Sequence, residues 1–168
     1  MRDLNNFEKL SLVIAAQSAA KNNGYYVDPN LVAELVSYGN EWALTWEYDF
    51  LKKEPHSKDA IVDETVEILE MFQHLQSSEK ELTGSIKETR HDGFDGNNDD
   101  HYGIARVLTQ DLKRFTDLAG AGLNSHSIGS LSTYQKMLKK YRPIADAKLK
   151  DAQYNLLSTA EINTVLGK

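Results

Sequence analysis

Cysteine is absent from the 168 residues, which excludes disulfides, thiolate zinc sites, iron–sulfur clusters and thiol catalysis. Proline occurs three times and glycine ten, too few for a collagenous or linker-like chain. No apolar run approaches the 18 residues of a membrane span. Leu10 to Ala20 (LSLVIAAQSAA) has the look of a short signal core. Arg2, Asp3, Glu8 and Lys9 cancel ahead of it, so the positive leader of a secretory signal is missing and a cytoplasmic protein is expected. Positive charge is also in short supply, with 19 basic residues against 25 acidic and a net charge of −6. That balance argues against a general nucleic-acid coat or a membrane-surface protein.

The acidity is unevenly spread. Residues 1–84 carry 15 acidic and 7 basic side chains, whereas residues 85–168 carry 10 and 12. The basic peak lies at Lys136, Lys139, Lys140, Arg142, Lys148 and Lys150, opposed within that stretch by Asp146 alone. A negative half and a positive segment attract one another, within a chain or between copies.

Helical periodicity runs through almost the whole chain. Leu4, Phe7, Leu10, Ile14 and Ala15 recur at three-to-four spacing and predict a first helix over 3–22, stopped by Asn23-Gly24. Asp28-Pro29 opens a second, with Leu31, Val32, Leu35 and Val36 inside, and Gly39-Asn40 punctuates it. The aromatic segment from Trp42 to Leu51 reads as a short third helix. After the break at Pro55-His56-Ser57, where Ser57 can cap, a long amphipathic helix covers 58–80. Arg90 to Asp100 (RHDGFDGNNDD) is the clearest loop, with Asn97 or Asn98 capping the next helix, which is expected to run to Gly120–Gly122. Asn124 to Ser130 is another loop. A helix from Tyr134 is expected to be disturbed at Pro143, and Ser158-Thr159-Ala160-Glu161 fits a capping box before a terminal helix. The reading is an all-α single domain over 1–168, of six or seven helices packed as a bundle, with no sheet.

Chemistry is densest at Glu88, His91, Asp92, Asp95, Asp99, Asp100 and His101, a set of possible metal ligands. Glu88-Thr89-Arg90-His91 has the Glu-x-x-His spacing of carboxylate-bridged iron sites, but its required companions are missing. As an EF-hand the loop would place Asp100 where glycine is needed and Arg106 at the final Glu position. Turn and cap chemistry already accounts for such short polar side chains, so no metal or other cofactor is expected. The Ser-x-x-Lys matches at Ser18–Lys21 and Ser77–Lys80 lack partner motifs, and no phosphate-binding glycine loop is present. The basic segment, with Tyr134 and Tyr141, is a candidate nucleic-acid face, although a solvated helix face is the favoured reading. Trp42, Trp46 and Tyr48 are a candidate aromatic docking patch, with core burial as the alternative. His74 reads as a packed or rim residue of the long helix.

Several stretches together resemble the YfbU family of bacterial proteins. They are Glu67 to Leu75 (EILEMFQHL), Gly93-Phe94-Asp95 with Tyr102 beyond it, Tyr134 to Leu138 (YQKML) and Leu157 to Asn163 (LSTAEIN). Phe7-Glu8-Lys9-Leu10 and the Tyr38-Gly39 break fit as well. The resemblance implies an intracellular, all-helical protein and supplies no catalytic residues. Within its motifs Met71, Phe72, Tyr134, Met137, Leu138 and Ile162 read as core, Gly93 as turn, Phe94 as a plug and Asp95–Tyr102 as a hydrogen-bonded pair. The function expected is a non-enzymatic, homo-oligomeric regulatory or adaptor module with a protein partner that the sequence does not identify. The alternatives are a metal-dependent hydrolase or nuclease at Glu88–His101 and a nucleic-acid-binding regulator at Lys136–Lys150.

Overall fold

Asp28 shows how closely local chemistry dictates this fold. Its carboxylate accepts hydrogen bonds from the amides of Asn30 and Leu31, and Pro29 supplies the first helical residue. A computed structural model of the chain describes residues 3–20, 27–48, 51, 58–118, 123–124, 130–150 and 156–168. The expected stops at Asn23-Gly24, Pro55-His56-Ser57 and Gly120–Gly122, and most of the Asn124–Ser130 loop, lie outside them.

The architecture is all-α, and the chain divides into two units, Met1–Ala60 and Ile61–Lys168. In the first, α1 (Asn6–Ala19) packs on α2 (Pro29–Ser37), which leads through a 3-10 turn (Glu41–Ala43) into α3 (Leu44–Glu47). Asn5 and Glu8 form a reciprocal capping box at the start of α1. Gly39 ends α2 with φ of 70°, a left-handed conformation that glycine adopts without strain. Lys9 reaches the buried carboxylate of Glu41 at 2.6 Å. Ala16 is the buried residue of α1 and Val13 is half-buried, whereas Phe7, Leu10, Ile14 and Ala15 face outward. Small side chains suffice where two helices approach closely, so the larger apolar set was free to occupy the opposite face.

In the second unit α4 (Asp59–Thr83) supplies the central buried stripe, from Val62 and Val66 through Ile68, Leu69, Met71 and Phe72 to Leu75. Gly84, at φ of 75°, closes it. A short parallel pairing of β1 (Phe94–Asp95) with β2 (Leu123–Asn124) follows, in register Phe94 to Leu123. It was not expected, and with two residues per strand it is a clasp rather than a sheet. Asp99, rather than Asn97 or Asn98, stands at the N-cap position of the helix α5 (Asp100–Arg106), and its side chain makes no cap hydrogen bond. The helix widens into a π turn (Val107–Asp111) and ends there, well short of Gly120. The following Lys113 and Phe115 have left-handed φ of 53° and 54°, which no helix can continue.

The helix α6 (Leu131–Lys150) runs unbroken through Pro143, against expectation. Proline frees the carbonyl four residues earlier. Lys139 and Pro143 are both exposed, so water can satisfy that group, while Tyr134, Met137, Leu138 and Tyr141 bury the other face. The terminal α7 (Thr159–Leu166) carries the full Ser158–Glu161 capping box and closes on Gly167. Among the described residues no helix is long and apolar enough to cross a membrane.

Candidate functional site

The end of α4 organises the loop that carries the marked residues. A carboxylate in the last turn of a helix opposes the dipole, so Glu79 needs another reason to be there. It accepts hydrogen bonds from the amides of Lys87 at 3.1 Å, Glu88 at 3.0 Å and Thr89 at 3.1 Å, and from the Thr89 hydroxyl at 2.7 Å. Burial alone would raise its pKa, but these donors together hold the carboxyl below the ordinary value. Gln76, one turn earlier, donates to the Thr89 carbonyl at 3.2 Å. Glu79 thus nails residues 87–89 to the helix.

Beyond it the chain enters an aromatic box. His91, only 1% exposed, has its ring centroid 4.7 Å from Phe72, 5.1 Å from Tyr134 and 5.2 Å from Phe94. The Tyr134 hydroxyl accepts the amide of Asp92 at 3.1 Å, and the Ser130 hydroxyl donates to the Gly93 carbonyl at 2.9 Å. Burial, with the nearby charge of Asp92, raises the Tyr134 phenol above its usual pKa. Phe94 is fully buried and stacks on His101 at 5.6 Å, the plug its motif suggested.

Asp95 does not pair with Tyr102. Its oxygens accept from the Asn98 side chain at 2.7 Å and the Asn97 amide at 2.8 Å, and these bonds hold its carboxyl below the ordinary value. The Tyr102 ring instead lies over Gly96, 3.1 Å from where a Cβ would stand, so a side chain there would press on the ring. Asp99 accepts the Asp95 amide at 3.1 Å. His101 donates from Nε2 to Glu64 on α4 at 2.8 Å, and the Gln135 amide meets the same carboxylate at 3.1 Å.

The seven possible metal ligands therefore disperse. Glu88 is exposed and pairs with Lys168; Asp92 and Asp100 are exposed; His91, Asp95, Asp99 and His101 serve the box, the turn and the link to α4. Among the described residues no three His, Asp or Glu side chains form a group that could hold a metal ion. The basic set divides too. Arg142 pairs with Glu67 through both Nε and Nη2, and Lys148 with Glu161 at 3.3 Å. Lys140 places its ammonium beside Gly167 at the end of α7, where the dipole favours a cation. Lys136 and Lys139 are exposed, and the Lys150 side chain lies outside the described residues. The aromatic trio is not an exposed patch. Trp42 is 1% exposed, Tyr48 is buried with its hydroxyl accepting the Asp28 amide at 2.9 Å, and Trp46 is half-buried. The 3-10 turn and α3 wind tightly enough to turn the first and last of these inward.

Comparison with protein families gives a match to the YfbU domain over residues 13–167. The chain belongs to the YfbU family. Searches of curated proteins and of solved structures return no match. The matched span takes in all four principal motifs, LSTAEIN included, while Phe7-Glu8-Lys9-Leu10 precedes it. Within this YfbU chain the motif residues Met71, Phe72, Phe94, Tyr134, Met137, Leu138 and Ile162 are all buried, so the pattern records packing.

Two features of the YfbU chain escaped the sequence reading. The first is the outer face of α1, where Phe7 is 78%, Leu10 56% and Ile14 59% exposed. Its signal was the run Leu10–Ala20, which carries no charge at all. The second is a cavity of about 350 Å³ on α4, lined by Glu70, Gln73, His74, Ser77, Phe115 and Leu156. Its signal was a polar stripe at helical spacing, Glu70, His74 and Ser77. A further hollow of about 300 Å³ lies beside Glu79 and α7.

Proposed function

We propose that this YfbU chain is a non-enzymatic regulatory or adaptor module of the cytoplasm that works as a homo-oligomer, self-associating through the outer face of α1. The observation that carries the reading is the exposure of Phe7, Leu10 and Ile14, which recur at helical spacing on one side of the helix. Ser11, Ala15 and Ser18 lie beside them and are also exposed. Small residues next to an apolar stripe let a second helix approach closely, and depletion of charge marks interface cores. A second copy is the occupant that fits, because a two-fold axis brings the same uncharged stripe onto itself.

Burying a large apolar side chain contributes about 1.5–3 kcal/mol, so six of them across two copies give on the order of 10 kcal/mol before losses. Association forfeits about 4–15 kcal/mol of freedom. The two are comparable, and reversible, concentration-dependent association follows. The engagement of Glu79, His91, Asp95 and His101 in packing and turns favours a module over an enzyme. Size-exclusion chromatography with light scattering should show an oligomer that the Leu10→Glu, Ile14→Glu double variant converts to monomer with unchanged helical content. A wild-type monomer at all concentrations, at low and high salt, would overturn the proposal.

A further inference from the structure

Glu70 is an exposed carboxylate at the rim of the cavity on α4. Among the described residues it makes neither hydrogen bond nor ion pair, unlike Glu64, Glu67 and Glu79 on the same helix. It opens onto the cavity of about 350 Å³ together with Gln73, His74 and Ser77 from the same side of α4. His74 is fixed there by Tyr141, whose hydroxyl lies 3.0 Å from Nδ1. Phe115 and Leu156 supply the cavity's apolar lining.

Phe115 reaches the cavity by an uncommon route. The π turn at Val107–Asp111 and the left-handed residues Lys113 and Phe115 replace what would otherwise be continuing helix. Such conformations at non-glycine residues persist only where the surroundings over-determine them, and they gather at ligand sites. Loss of hydration, with the charge of Glu67, raises the Glu70 carboxyl above its ordinary pKa.

We propose that this cavity binds a small organic ammonium ion, its charged head on Glu70 and its non-polar body between Phe115 and Leu156. An anion would be repelled by Glu70 and Glu67. A divalent metal would need further carboxylate or imidazole ligands, and no such group of three is present among the described residues. An ammonium supplies the missing counter-charge as well as an attraction to the aromatic face. The volume lies at the lower end of the range for ligand pockets, which suits a small molecule rather than a folded partner.

Isothermal titration calorimetry of the full chain with benzylammonium, benzyl alcohol and benzoate tests this. Benzylammonium should bind at least tenfold more tightly than the other two and should shift the His74 ring resonances in NMR spectra. Glu70→Gln should weaken it at least tenfold, and Phe115→Leu several-fold, with circular dichroism unchanged in both. Absence of benzylammonium binding at millimolar concentration, equal binding of benzyl alcohol or benzoate, or undiminished binding to Glu70→Gln would each overturn the proposal.

Discussion

Replacing Glu79 by Gln tests the reading of the mid-chain loop as a structure pinned from one side chain. Four donors converge on this carboxylate: the amides of Lys87, Glu88 and Thr89 and the Thr89 hydroxyl. Hydrogen bonds to a charged acceptor contribute about 1.5–3 kcal/mol each, and neutral ones about 0.5–1.5 kcal/mol. Glutamine keeps one acceptor oxygen and turns an NH2 group toward at least one donor. One charge-assisted bond is lost and the others weaken, so the expected loss is about 3 kcal/mol. For a chain of this size that lowers Tm by roughly 6–12 °C.

The pH dependence follows from the same contacts. The folded-state pKa of Glu79 lies below its unfolded value, so its stabilisation is fully present above the unfolded value and is lost as pH falls through the folded one. The difference between wild type and Glu79→Gln should therefore be largest near neutrality and should shrink in acid. Urea unfolding at several pH values measures it, and hydrogen exchange at the Lys87, Glu88 and Thr89 amides localises it. A difference below about 0.5 kcal/mol at neutral pH, the size of an ordinary surface change, would refute the reasoning. So would unchanged amide protection.

Ser158→Ala removes the cap of α7 and frees the Glu161 side of the box; a loss of about 1 kcal/mol is expected in chemical denaturation. Trp42→Ala should destabilise by about 3–5 kcal/mol because the ring is fully buried, whereas Trp46→Ala, at a half-buried site, should lose much less. Equal effects of the two substitutions in thermal melts would contradict the placement of Trp42 in the core.

What the sequence disclosed was local chemistry. Asp28-Pro29 and Ser158–Glu161 each place donor and acceptor within three residues, so cap and box could be read directly and both form. The all-α class followed from periodicity over long stretches such as α4. The failures have a common origin in competition between neighbours. In Asn97-Asn98-Asp99-Asp100 every residue can cap; Asp95 captures Asn97 and Asn98 in its own turn, which leaves Asp99 at the N-cap position. Pro143 was read as a disturbance because the rule concerns a lost hydrogen bond, yet the freed carbonyl lies on a wet face. The stripe on α1 was legible as a stripe, but periodicity fixes which residues share a face and not what covers it. Glu79 and Glu70 look alike in sequence. Only the return of residues 87–89 to one and the π turn carrying Phe115 to the other separates an anchor from an open carboxylate.

The self-association claim is tested most directly by disulfide cross-linking, which a chain without cysteine makes clean. Single cysteines at Ser11, Ile14 and Ser18 on the outer face of α1, and one at exposed Lys139 on α6, would be oxidised under mild conditions. The account predicts rapid covalent dimers from at least one α1 position and none from Lys139→Cys. Equal rates at α1 and α6, or no dimer from any α1 position, would contradict it.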